Sequence, residues 1–545
     1  MAAERSVPAI WLRVVLVTIV LAGVFFRFYN LDRKVYWEDE ILGTVHMLGY
    51  TEGDIVRSSP HLVNVAGIQA YFRLPDAASG RADHLSDTVR SLALEDPQHP
   101  PLYYVTGHLW AKIFGSSATA IRSLSAAFGV LALPAMFWLC LELFGSMTAG
   151  WIGVALLALS PFAVLYSQEA REYSLWTLAI LVLSAVFLRA VRLMNPRWWL
   201  AYGVMLTVSL YIYPLSITVA LGQGLFLLAT ARSQRRTLIA YLVSLLAAGA
   251  LFAPWARVMS SSQGVGRGMH GILSSRLSPV AIVLGFLRDV RGIFVDLGSF
   301  RLGHFNSTAI NFALLVLTTA LVAYALYALV RFSLPRVWAF ILLTLCLPAL
   351  PLLLHDVVFG GELVLQTRYF VPAYLGIELA VVALFLRVLF EGAGDRLARP
   401  LWWSAAVALL CGELLSCVVS SQAETWWNKD FEVSRSVAEV VNHADHPLVV
   451  SDIGTSRTLG LSYYLDPDVA LRLYVSCEQC AIARPLDSDS PIGAAGHDDI
   501  FLLGASAQMQ SKVLRDDGSA KARFRQIGVS IYPQHPTKLD LFLPN

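Results

Sequence analysis

The chain has 545 residues, 56% of them hydrophobic and only 15% charged, with a net charge of +2. Soluble domains carry roughly 25% charged residues, so this composition, with its mean hydropathy of +0.59, excludes an ordinary soluble protein. No basic stripe interleaved with aromatics appears, and no nucleic-acid partner is expected.

The N-terminus MAAERSVPAIWLR puts Arg5 ahead of the first apolar run, 11–28, and Arg13 at its start. No small-residue cleavage site follows, so the run reads as a retained signal-anchor rather than a cleaved signal peptide. Further apolar runs occupy 119–141, 149–166, 175–191, 198–213, 216–230, 238–255, 309–330, 337–354, 369–389 and 401–419. A bilayer is crossed by about 20 apolar residues, so about eleven spans are expected. Residues 1–419 therefore form an all-α polytopic membrane domain. An inner N-terminus places Arg189, Arg192, Arg197, Arg232, Arg235, Arg236, Arg331, Arg336, Arg387, Arg396 and Arg399 in inner loops or at their edges, a positive-inside pattern. This requires that 102–114 lie at the interface rather than cross. The loop 29–118, the turn 168–173, the stretches 257–306 and 355–368, and the tail 420–545 are then outside. The expected setting is the plasma (inner) membrane, with the tail extracytoplasmic and lipids as neighbours.

Just after the first run comes Tyr36-Trp37-Glu38-Asp39-Glu40. Three carboxylates cannot sit in hydrocarbon, so they line a site or form an acidic collar at the membrane face. Partial desolvation raises a carboxylate's basicity, which suits Asp39 as a general base with Glu38 and Glu40 in support. In His99-Pro100-Pro101-Leu102-Tyr103-Tyr104 two prolines start the interfacial helix. The tyrosines suit an interfacial anchor or a substrate contact, and His99 fits either a substrate contact or a structural hydrogen bond. Gln168-Glu169-Ala170-Arg171-Glu172-Tyr173 fills a short turn between two spans. Rigid flanking helices would aim Glu169, Arg171 and Tyr173 into the cleft of Asp39; a local ion pair is the plainer alternative.

The outer stretches hold Arg267, Arg288, Arg291 and Arg301, and Arg368 opens a span in Gln366-Thr367-Arg368-Tyr369. Guanidinium binds phosphate bidentately and stays charged, and Arg368 lies at headgroup depth; snorkelling to lipid headgroups is the alternative. In the tail, 447–452 and 499–503 read as buried strands, and 433–442 and 505–514 as helices. A small α/β domain is expected there, with no glycine-rich phosphate loop. Cys140, Cys346, Cys411 and Cys417 lie in apolar runs. Cys477 and Cys480 are either a local disulfide or two free thiols.

These motifs, in this order, resemble the GT-C superfamily of membrane glycosyltransferases, in particular its family-39-like bacterial members. Those are related to protein O-mannosyltransferases and aminoarabinose lipid A transferases. The likeness rests on W-x-D-E (Trp37, Asp39, Glu40), HPPLYY from His99, QEAREY from Gln168 and TRYFVPAYLG from Thr367, and it covers roughly residues 8 to 420. It implies an inverting enzyme that moves a sugar from a polyprenyl-phosphate lipid to an acceptor (lipid, glycan or protein) at the outer membrane face. The resemblance makes Asp39, Glu40 and Glu169 catalytic. Glu38, His99, Tyr103, Arg171, Tyr173, Arg288, Arg291, Arg368 and Tyr369 become substrate contacts. Some relatives carry an Asp-containing motif where Glu169 stands, which leaves a divalent Mg or Mn ion on Asp39 and Glu169 open. A lipid-linked-sugar flippase is the alternative, and would place polar residues at the bilayer midplane on interrupted helices. A non-catalytic scaffold with a partner-binding tail is the third reading.

Overall fold

A computed structural model describes residues 10–58, 63–75, 82–230, 234–261, 277–297, 307–391, 398–425, 433–451, 455–473, 499–503, 523–527 and 539–543. Among them, eight helices are long and apolar enough to cross a bilayer. A bent pair, Met147–Leu159 and Pro161–Ser167, makes a ninth. The remaining two apolar runs form helices Pro196–Ile212 and Ser216–Thr230, of 17 and 15 residues. All eleven runs are thus helical, and these two fall short of the usual spanning length. Leu102–Phe114 is a 13-residue helix, too short to cross.

The helices are not equivalent. Thr367–Phe390 has 83% of its apolar window buried, whereas Ile10–Phe28 has 17%. The first is the centre of the bundle and the second lies at its rim. Arg368 is therefore carried by the most enclosed helix of the molecule.

The bent pair turns by 62°. Ser160 leaves the helical region there (φ −50°, ψ 116°), and Pro161 starts the next segment without an amide proton to continue the ladder. The carbonyls freed by the break need donors, because lipid supplies none. Arg27 donates to the carbonyls of Ala158 at 2.6 Å and Leu157 at 2.9 Å, and Cys417 Sγ reaches that of Leu159 at 3.2 Å. A Cβ on Gly23 would lie 2.5 Å from the Ala158 oxygen, so only glycine admits this approach.

Five strands of the tail and one from the first long loop form a six-stranded sheet in the order β1-β3-β2-β4-β6-β5. These strands are β1 (Val63–Asn64), β2 (Leu448–Ser451), β3 (Ala470–Leu473), β4 (Ile500–Leu503), β5 (Arg523–Ile527) and β6 (Leu539–Leu543). The two strands read from sequence, β2 and β4, run parallel at its centre, with Val449 opposite Phe501. The edge strand β1 comes from the first long loop and pairs antiparallel with β3. Helix Val433–Asn442 is also as expected. The predicted helix 505–514, Arg267, Arg301, Cys477 and Cys480 lie outside the described residues.

The sheet domain is fastened to the acidic segment. Tyr36 N–H donates to the Tyr464 hydroxyl at 2.7 Å, and the Ala118 N–H to that of Tyr463 at 3.3 Å. Gln69 donates to the carbonyls of Ser462 and Leu465, both at 2.9 Å.

Candidate functional site

Trp37 is extended (φ −94°, ψ 170°) and caps the helix Glu38–Met47, whose first turn holds all three carboxylates. Negative charge is favoured at a helix N-terminus. Successive helical residues point about 100° apart, so the three acids reach three different partners. Glu38 faces the sheet domain, 2.8 Å from Arg457 Nε. Asp39 faces the bundle, with its Oδ2 3.0 Å from Arg368 Nη1. Glu40 turns inward and is 1% exposed. It takes a bidentate pair of bonds from Arg122, Nε at 2.8 Å and Nη2 at 2.6 Å, and also accepts the Ala170 N–H at 2.7 Å.

The same Arg122 donates to the carbonyls of Leu31, Lys34 and Val35 at 2.7 to 3.0 Å. Glu40 and Arg122 thus bind the loop before the acidic helix to the Gln168–Tyr173 turn. This is the work of a strut, and a buried, fully committed carboxylate is poorly placed to meet a substrate.

The turn is built from both ends. Gln168 donates to the carbonyls of Phe26 at 2.6 Å and Tyr29 at 2.9 Å, the unpaired end of the first span. Glu169 is buried at 1% exposure, and its carbonyl accepts the Arg171 N–H at 2.7 Å. Arg171 Nη1 donates to the Asp39 carbonyl at 3.0 Å, and its Nη2 meets His99 Nε2 at 2.9 Å. His99 Nδ1 lies 2.7 Å from Glu172 Oε1. The hydrogen-bond network therefore puts the His99 proton on Nδ1, with Nε2 accepting from arginine. Glu172 also accepts from Tyr104 at 3.3 Å. Burial alone would raise the Glu172 pKa, but Arg171 and His99 outweigh it and hold the group down at about 2. A Cβ on Gly43 would stand 3.1 Å from Arg171 Nη1, so glycine there lets the guanidinium lie against the acidic helix.

Arg368 also packs over Trp37 and Tyr369, with its guanidinium carbon 6.0 and 5.5 Å from the ring centroids. The ring of Tyr173 lies 5.9 Å from the Arg171 guanidinium. The Tyr173 hydroxyl is buried without a hydrogen-bond partner, a donor held ready. The structure thus gathers Asp39, Arg368, Tyr369, Arg171, His99 and Tyr173 at one end of the bundle. Three other expected residues stand differently. Tyr103 is fully buried with its hydroxyl on Ser125 Oγ at 2.9 Å. Arg291 is bound to Asn311 Oδ1 at 2.7 Å, and Arg288 is exposed on the helix Pro279–Phe294.

Sequence reasoning missed Arg122, which appears only as one charge inside a span, and gave Glu172 no role. Gly43 carried no legible signal. Among the described residues no group of three or more His, Cys, Asp or Glu side chains stands together as a metal site. The guanidiniums of Arg368 and Arg171 bond the Asp39 carboxylate and carbonyl respectively.

With the geometry established, comparison with known proteins places the fold. Residues 98–257 match the family described as Dolichyl-phosphate-mannose-protein mannosyltransferase. That stretch contains His99 and the Gln168–Tyr173 turn, but neither Asp39 nor Arg368. The structure is similar to that of ArnT from Cupriavidus metallidurans bound to Undecaprenyl phosphate. The TM-score is 0.56 at 12% identity, with 98% of each chain covered. Against the same protein in the apo state the TM-score is 0.54 at 11% identity, covering 98% of this chain and 97% of that one. No curated protein matches significantly. The fold is thereby set: a multi-pass membrane protein folded like ArnT over almost its whole length, with a match to the mannosyltransferase family confined to residues 98–257.

Proposed function

We propose that the chain is an inverting glycosyltransferase that takes a sugar from a polyprenyl-phosphate lipid. The acceptor would be a hydroxyl-bearing lipid, glycan or protein at the outer membrane face. One observation carries this reading: the Asp39 carboxylate and the Arg368 guanidinium stand 3.0 Å apart at one rim of the bundle. A base and a phosphate-binding cation are thus adjacent where a lipid headgroup arrives. The ArnT structure with undecaprenyl phosphate supports a donor of this kind.

In this mechanism Asp39 removes the acceptor proton as the acceptor oxygen attacks the anomeric carbon from the face opposite the phosphate. The bond from that carbon to the phosphate oxygen breaks, and its electron pair leaves with the polyprenyl phosphate. Phosphate is a good leaving group, so no general acid is needed, and developing negative charge is met by Arg368 and the Tyr173 hydroxyl. Arg171, held by Glu172 and His99, fixes the Asp39 backbone. Glu40 and Arg122 fix the helix that presents it. Glu169 and Tyr369 line the same end, and Glu38 reaches Arg457.

One feature favours the flippase reading: the span broken at Ser160, with Glu378 and Glu413 buried in neighbouring spans. Interrupted helices and intramembrane acids mark transporters. Here, however, the broken end is closed by Arg27 and Cys417, so its carbonyls are already occupied. Purified protein incubated with a panel of polyprenyl-phosphate sugars, with released lipid phosphate detected by mass, separates the two. Asp39→Asn is expected to lower turnover by about 10² to 10⁴, the usual worth of a general base, while donor lipid still binds. Unchanged sugar transfer in Asp39→Asn, with sugar translocation lost, would favour the flippase.

A further inference from the structure

A second feature lies at the other end of the bundle. The helix Pro196–Ile212 ends at Tyr213, whose ring sits 6.3 Å from that of His99. Its first residue is therefore roughly 25 Å from the candidate site, 17 residues at 1.5 Å each. There, Thr237 donates to Met194 Sδ at 3.0 Å, so the helix Arg235–Ser261 starts beside the beginning of Pro196–Ile212. Between these two helices runs a groove of about 530 Å³.

Its walls are apolar. Leu200, Val204, Val243, Ala247 and Leu251 line it, and Leu200, Val204, Val243 and Leu251 are each more than half exposed. Its charged lining residue is Arg236, at the end remote from the site. Arg235 and Arg197 are exposed at the same helix ends. Glu142, near the end of the span Ala118–Phe144, is already committed to Arg189 and Arg192, at 2.7 and 2.8 Å. From Arg236 to Leu251 the groove follows the helix for about 22 Å, against about 15 Å for one leaflet of hydrocarbon. A greasy slot as deep as a leaflet, with an exposed cation at its mouth, has the chemistry of a phospholipid.

We infer that this groove binds one anionic phospholipid, its headgroup on Arg236 and an acyl chain along the slot. The donor lipid of the proposed reaction is a different occupant, because its phosphate belongs with Arg368 at the opposite end. A second apolar groove, between the first span and the helix Arg399–Gln422, is of similar size, about 550 Å³, and has no charged lining residue. It serves as an internal control.

The test is native mass spectrometry of the detergent-purified full chain with added phosphatidylglycerol or phosphatidylcholine, alongside thermal unfolding. One phosphatidylglycerol is expected to bind, weakening with salt, and to raise the melting temperature more than phosphatidylcholine does. Arg236→Gln, at an exposed position, is expected to weaken it about fivefold, the worth of one arginine near an anionic headgroup. Arg331→Gln removes the same charge elsewhere and should leave binding unchanged. Ala247→Phe, which fills the slot, should expel the lipid. Equal retention of the two phospholipids, indifference to Arg236→Gln, or a polyprenyl phosphate held there instead would overturn the assignment. None of these outcomes depends on sugar transfer, so the inference and the proposed reaction fail separately.

Discussion

Glu172 acts on the candidate site through two other residues. It is fully buried and holds both His99 and Arg171, and Arg171 in turn holds the Asp39 carbonyl. Replacing it by glutamine leaves Arg171 buried without its counter-charge, a loss of about 3 to 5 kcal/mol for broken buried pairs. Glu172→Gln is thus expected to lower both the melting temperature and turnover, and a variant that kept both would show that the network is ornamental. The pH dependence follows from the same pair. The Glu172 pKa sits at about 2 when folded, below its ordinary value of 4.5. Its contribution is therefore complete above pH 4.5 and is lost as pH falls towards 2. The acid limb of a stability–pH profile should flatten in Glu172→Gln. That Asp39, Arg171, His99 and Arg368 come together was legible, because each sits in a short polar motif at the end of a span. The partnership of Glu40 with Arg122 was not, since 82 residues separate them. Local spacing reports which charges crowd together, not which distant charge each will meet. That is why Glu40 read as a supporting carboxylate, made catalytic only by the resemblance, while the structure shows it buried and bonded to Arg122 and the Ala170 amide.

Among the elements, hydropathy located the apolar helices but not their shape, nor that only nine of the eleven expected spans among the described residues are long enough to cross. The break at Ser160 had a signal in Pro161, yet Pro134 and Pro254 sit inside unbroken helices. Proline marks where a break is cheap, and packing decides whether it occurs. Close packing of membrane helices relies on small residues where backbones approach, and two glycines distinguish hard from soft contacts. A Cβ on Gly222 would lie 2.2 Å from the Leu343 carbonyl oxygen, which is backbone within the π-helical turn Ile341–Cys346. A Cβ on Gly107 would meet Met47 Sδ at 2.4 Å, but methionine has three rotatable bonds and yields. Gly222→Ala is expected to cost about 1 to 3 kcal/mol as overpacking, and Gly107→Ala distinctly less. Thermal unfolding of the two variants side by side checks this order, and the reverse ranking would mean that the π-helical turn is the more compliant partner.

At the scale of the molecule, the sheet domain and the membrane bundle share the acidic helix between them. One face of that helix meets Arg368 and Arg171 from the bundle, and another meets Arg457 from the sheet domain. The extended approach to it is pinned where Tyr36 N–H donates to the Tyr464 hydroxyl. Arg435 packs 5.2 Å over the Tyr464 ring, and Asn442 donates to its carbonyl at 3.1 Å, so this tyrosine is held by its own domain. The exposed pair Glu38–Arg457 contributes little, as surface ion pairs do. The Tyr464 hydroxyl matters more, because its loss strands the Tyr36 amide, at a cost of about 1 to 3 kcal/mol for a buried unpaired donor. Tyr464→Phe keeps the ring and removes only that acceptor. Local opening of the acidic helix then becomes easier, and amide hydrogen exchange across residues 36–47 is expected to rise about five- to 150-fold. Exchange in the span Tyr173–Leu193 should stay unchanged, since none of its described hydrogen bonds runs through Tyr464. If the acidic helix exchanged at its original rate in Tyr464→Phe, the sheet domain would be a passive attachment, and Asp39 would owe its position to the bundle alone.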